Sequence, residues 1–147
     1  MIKRVQTYKR PDGNRIYATS STHYRAIWFE DDQSYYRAVT WMRDRHGRAG
    51  SYRAKTPTWT HNPHTLTISL RWTSHAMEFL KDQYGWHETT IWFDRTANGP
   101  VIHEWCEERG YLCEVKFGTT TICTPTDKDL LMARLRFSDH QVPEPVF

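Results

Sequence analysis

Long apolar runs are what this 147-residue sequence lacks most plainly. No stretch approaches the ~20 apolar residues that carry a helix across a bilayer, so no membrane-spanning segment and no membrane partner are expected. The opening MIKRVQTYKR has no apolar core of the signal-peptide kind, which makes the cytoplasm the expected compartment. Cysteine is scarce. Three residues with no Cys-x-x-Cys pair argue for free thiols in a reducing setting rather than a disulfide framework. A phosphate-cradling Gly loop, His-Glu-x-x-His and Gly-x-Ser-x-Gly are also missing, which removes the signatures of P-loop enzymes, zincins and α/β-hydrolases.

Aromatic residues are abundant: seven Trp, eight Tyr and six Phe. They serve as core filler, as stacking platforms or as interface anchors, and composition does not separate these uses. A charged fraction of 25% and an apolar fraction of 38% fit one globular domain, expected over 1–137 with a tail at 138–147. The net charge of +3 hides an asymmetry. Residues 1–73 hold 13 Lys/Arg against 5 Asp/Glu, and residues 74–147 hold 7 against 12. Such a split orients a charged partner.

The clearest local pattern is Tyr111 to Phe137, a strand, a tight turn, a strand and a capped helix. Tyr111, Cys113, Val115 and Phe117 alternate with Leu112, Glu114 and Lys116. Gly118-Thr119 reads as a two-residue hairpin loop, which sets Phe117 opposite Thr120, Val115 opposite Ile122 and Cys113 opposite Thr124. Thr126 caps a helix whose apolar stripe is Leu130, Leu131 and Leu135.

Upstream, Pro11-Asp12-Gly13-Asn14 is a turn signal between 2–8 and 15–20, predicting a basic N-terminal hairpin over 1–20. His23 to Glu30 reads as a strand. Asp31 or Asp32 then caps a helix to about His46, with Tyr35, Ala38, Val39 and Met42 inward and Gly47 at its end. Trp59 to Pro63 reads as a connector and His64 to Trp72 as a strand. Thr73 or Ser74 caps a helix with Ala76, Met77, Leu80 and Tyr84 inward, closed by Gly85. A strand follows at 87–93, then a helix opened by Asn98-Gly99-Pro100 with Ile102, Trp105 and Cys106 inward. Thr65, Thr67, Ser69, Arg71, Glu114, Lys116 and Thr121 leave one strand face polar, so helices are expected on one side only. The predicted fold is α+β: a two-layer sandwich with helices on one face of a mixed or antiparallel sheet, ferredoxin-like in character.

Five side chains are candidates for catalysis. His64 and His87 both open strands, as paired histidines of phosphoesterases do, although only His87 has a Thr two residues on. Asp94 with Glu114 and Lys116 has the composition of a Mg²⁺-dependent nuclease centre, but a helix separates them. His61-Asn62-Pro63-His64 lacks the context of a nuclease motif. His103, Cys106, Cys113 and Cys123 include good zinc donors, but the strand register puts Cys113 and Cys123 on opposite faces, so no metal and no cofactor are expected.

Binding has better candidates. Residues 43–55, RDRHGRAGSYRAK, hold five basic residues against one acidic. Arg43, Arg45, Arg48, Arg53 and Lys55 are suited to phosphates and Tyr52 to stacking. Trp28, Trp41, Tyr52, Trp59 and Trp92 fall outside the buried stripes and read as surface anchors.

The C-terminal layout, His103-Glu-Trp-Cys-Glu-Glu108, a short hairpin and then Asp127-Lys-Asp-Leu-Leu-Met-Ala-Arg-Leu-Arg-Phe137, resembles small, mostly uncharacterised proteins of tailed phages. That resemblance covers about a third of the chain and brings no catalytic residues. It implies a phage-type accessory protein in the host cytoplasm that binds a host macromolecule, including a host-defence component. The leading expectation is thus non-enzymatic binding to a host protein, with self-association into a homo-oligomer compatible with it. The alternatives are an RNA- or single-stranded-DNA-binding protein working through 43–55, and a phosphodiesterase or nuclease.

Overall fold

The computed structural model describes residues 1–9, 23–50, 58–92, 98–116 and 118–137. Two antiparallel sheets share one helix between them. In sheet A the strands are β1 (Ile2–Lys9), β2 (His23–Phe29), β3 (Trp59–Asn62) and β4 (Thr67–Leu70), in the order β1-β2-β4-β3. Sheet B holds β5 (His87–Trp92), β6 (Leu112–Lys116) and β7 (Thr119–Thr124), in the order β5-β7-β6. The helices are α1 (Asp32–His46), α2 (Thr73–Tyr84), α3 (Asn98–Arg109) and α4 (Asp127–Arg136).

The α+β class holds. The single sheet does not, and every described pairing is antiparallel, so no split βαβ unit of ferredoxin type is formed. The reason lies in the connections: β1 pairs with β2 and β3 with β4, while α2 carries the chain away to begin a second sheet.

Sheet A buries the face carrying Val5, Ile27, Phe29, Ile68, Leu70 and Trp59 under α1 and α2. The α1 stripe is Tyr35, Ala38, Val39 and Met42, all buried. Asp31 caps that helix by accepting the Ser34 amide at 2.7 Å, and Gly47 ends it at φ 77°, a left-handed value that glycine adopts at little cost. Helix α2 contributes Ala76, Met77, Phe79 and Leu80 to the same core, which continues into Leu112 and Cys123 of sheet B. On the other face of sheet B, α3 and α4 close a second core with Ile91, Ile102, Trp105, Cys113, Val115, Ile122 and Phe137.

Four expectations are corrected here. Trp59–Asn62 is a strand, not a connector. Its partner β4 starts at Thr67 rather than His64, because residues 63–66 turn between them and Leu66 has φ 52°. In the β6–β7 hairpin Val115 pairs with Thr120 and Cys113 with Ile122, a slip of two residues. A two-residue slip preserves the face of every side chain, so Cys113 and Cys123 still lie on opposite faces. On α4 only Ala133 is buried, whereas Leu131 and Leu135 are exposed. The second arm of the N-terminal hairpin at 15–20 and the tail at 138–147 lie outside the described residues.

Candidate nucleic-acid interface

Alternation along sheet A leaves a second face opposite the helices. Arg4, Gln6 and Tyr8 of β1 project there with Tyr24, Ala26 and Trp28 of β2, Thr67 and Ser69 of β4, and Thr60 and Asn62 of β3. The pairing stacks them in rows: Arg4 faces Trp28, Gln6 faces Ala26, and Tyr8 faces Tyr24. The Arg4 guanidinium sits 4.0 Å from the Trp28 ring centroid. The Tyr8 and Tyr24 rings stack at 5.5 Å and 23°, and Tyr8 lies 5.7 Å from Trp28. Between the larger side chains, Ala26 and Thr60 are buried and Ser69 is half-buried.

The described part of this face contains no carboxylate. The exposed and half-buried strip from Arg4 and Trp28 to Tyr8 and Tyr24 is about 13 Å long at ~3.3 Å per residue, room for one or two stacked bases. The three half-buried rings form one aromatic group with Arg4, which offers a cation, and Gln6 and Ser69 offer hydrogen-bonding groups. That is the composition of a stacking platform for unpaired bases. Arginine stacked on tryptophan is held flat without losing its charge, so it remains available to a phosphate.

The chain matches no protein-family model, no curated protein and no solved structure.

The residues singled out in the sequence divide. Arg43, Arg48, Ala49 and His61 line a cavity of about 480 Å³. Arg45 is engaged elsewhere, bonded to Glu78 and lying 4.8 Å from the Trp41 ring centroid. Trp59 is fully buried and its indole donates to the Gly47 carbonyl at 3.0 Å, so it is a core residue and no surface anchor. Trp41 is half-buried, donating to Asp82 at 2.8 Å, and Trp92 is half-buried opposite Thr119. Tyr52, Arg53 and Lys55 lie outside the described residues.

The catalytic candidates do not assemble. His64 is exposed in the β3–β4 turn, whereas His87 opens β5 in the other sheet, its Nδ1 3.0 Å from Asp127. Neighbouring strands that would pair the two histidines are absent from the described residues. Glu114 and Lys116 share a face and approach each other at 3.8 Å, and Asp94 lies outside the described residues. No group of three or more His, Cys, Asp or Glu arranged to hold a metal occurs among the described residues.

Sequence reasoning missed a buried polar cluster where sheet A meets α3. Arg25 is fully buried and donates to the carbonyls of His23 at 3.2 Å and Arg71 at 2.8 Å. The His23 and His103 rings lie 6.3 Å apart, and His103 Nε2 is 3.8 Å from Glu107. Burial, then His23 and Arg25, depress the His103 pKa to about 4, and burial raises that of Glu107. Cys113 is pushed well above the thiol range by its hydrogen bond with Cys106 and by burial. The Cys113 thiol is held protonated, which makes it a poor nucleophile.

Proposed function

We propose that this protein binds single-stranded RNA or DNA across the outer face of sheet A. The observation that carries the reading is the aromatic and cationic grouping of Arg4, Tyr8, Tyr24 and Trp28 on a sheet face with no described carboxylate. Bases stack on the rings whatever their identity, while Arg4 and the exposed Lys3 attend to the backbone. A basic first half draws the polyanion toward this sheet rather than toward sheet B. Anisotropy titration of labelled single strands and of a duplex tests it. Single strands bind and the duplex binds more weakly, because paired bases cannot lie on the rings. Equal binding of both would leave only a charge effect.

A second reading, a phage-type accessory protein that occupies a host macromolecule, is favoured by α4. Leu131, Met132 and Leu135 stand exposed there, an unusual use of large apolar side chains on one short helix. Pull-down from cell extract with and without nuclease distinguishes the two. Capture that persists after nuclease and disappears in Leu131→Ser/Leu135→Ser supports the protein partner.

A further inference from the structure

On the helix side of sheet A a different site is built. The last turn of α1 presents Arg43, and Gly47 then turns the chain with its amide donating to the Arg43 carbonyl at 3.0 Å. Arg48 therefore returns to the neighbourhood of Arg43, and edge strand β3 supplies His61 to the same cavity of about 480 Å³. Neither guanidinium has an ion-pair partner among the described residues, although Arg45 between them in sequence does. The nearest acid in sequence, Asp44, lines a separate groove with Tyr36, Arg37 and Trp41. Two cations without an ion-pair partner among the described residues thus share one concavity.

The imidazole is held in place. His61 stacks on Trp59 at 5.6 Å and 29°, and its Nδ1 hydrogen-bonds the hydroxyl of buried Tyr35. With Nδ1 engaged, Nε2 is the atom left for a ligand.

We propose that the Arg43–Arg48–His61 cavity binds a phosphomonoester group, separately from the sheet face. Charge selects the monoester. A dianion matches two guanidiniums and a titratable imidazole, whereas an internal phosphodiester carries one charge and is flanked by chain that a concave site accommodates poorly. Proton coupling gives a signature. Burial, and then Arg43, lower the proton affinity of empty His61. A bound dianion opposes Arg43 and favours imidazolium, so binding raises the His61 pKa and strengthens as pH falls toward it, until the phosphate itself takes a proton. The group has two sources, a free phosphate or mononucleotide and the phosphorylated end of an oligonucleotide.

NMR titration of the His61 ring signals against pH tests this. It is run with no ligand, with inorganic phosphate, with a nucleoside 5′-monophosphate, and with one short oligonucleotide carrying either a 5′-phosphate or a 5′-hydroxyl. Phosphate raises the His61 pKa, and Arg43→Gln/Arg48→Gln abolishes the response while the melting temperature is unchanged. Each single Arg variant weakens binding about tenfold, the loss of one charge-assisted hydrogen-bonded contact. Trp28→Ala leaves the phosphate response intact, so a failure of the sheet-face reading does not touch this one. A 5′-phosphate preference assigns the site to nucleic-acid ends. A response to phosphate and mononucleotide alone assigns it to small molecules. An unchanged His61 pKa with every ligand, in a folded protein, overturns the proposal.

Discussion

Arg4 and Trp28 are direct cross-strand partners, and the guanidinium lies 4.0 Å from the indole centroid. The pair joins the charge and the stacking surface of the outer sheet face in one contact. Arg4→Gln removes a cation but leaves the ring. It is expected to lower oligonucleotide affinity and to reduce the slope of log K against log salt by about 0.7, the counterion release of one single-strand phosphate. A salt titration of the variant beside wild type reads both quantities.

Buried His103 makes stability depend on pH. Its folded pKa of about 4 lies below the ordinary 6.5, so the unfolded chain takes up the proton first. Stability from neutral His103 is full above pH 6.5 and declines as pH falls from there toward 4. Glu107 acts in the opposite sense, because burial raises its pKa and the folded state accepts its proton more readily. His103→Gln is expected to flatten the decline, measured as melting temperature across that range, while Glu107→Gln steepens it. The neighbouring His23 and Arg25 make protonation of His103 harder still.

Thr126 links two elements through one acid. Its hydroxyl accepts the Asp129 amide at 3.1 Å, and the Asp129 carboxylate accepts the Tyr111 hydroxyl at 2.7 Å. Hydrogen bonds from Thr126 and then Tyr111 hold the Asp129 pKa below its ordinary value. Stability from this carboxylate is therefore present above the unfolded pKa and is lost as pH falls through the folded one. Thr126→Ala is expected to cost about 1 kcal/mol in urea denaturation, the usual loss of an N-cap.

Leucines on α2 and α4 respond oppositely to truncation. Leu80 on α2 is fully buried between the sheets, so Leu80→Ala is expected to cost about 2–5 kcal/mol. Leu135 on α4 is exposed, so Leu135→Ser is expected to change stability by no more than about 0.5 kcal/mol. Chemical denaturation of both variants checks the contrast.

The legible parts of the fold are those written locally. Asp31, the Tyr35–Ala38–Val39–Met42 stripe and Gly47 fall within one short window, and α1 has the predicted bounds. Strand β3 was not legible, because WTHN is four residues long and acquires its regularity only by pairing with β4. The leucines of α4 misled because apolar spacing identifies a helix without saying whether anything covers it. The candidate interface was the least legible. Tyr8, Tyr24 and Trp28 become neighbours only when β1 pairs with β2 across residues 10–22, and no single window contains that arrangement. The basic segment did point to Arg43 and Arg48, but His61 joins them only through the β3–β4 pairing that seats it at the sheet edge.

The stacking face is tested most directly by titrating a labelled single-stranded oligonucleotide with wild type, Tyr8→Ala and Trp28→Ala, each shown to melt as a folded protein. Each lost ring is expected to weaken binding by about 1–3 kcal/mol with the salt slope unchanged, since stacking releases no counterions. Equal affinities in all three proteins, or no binding by wild type at low salt, would contradict the account.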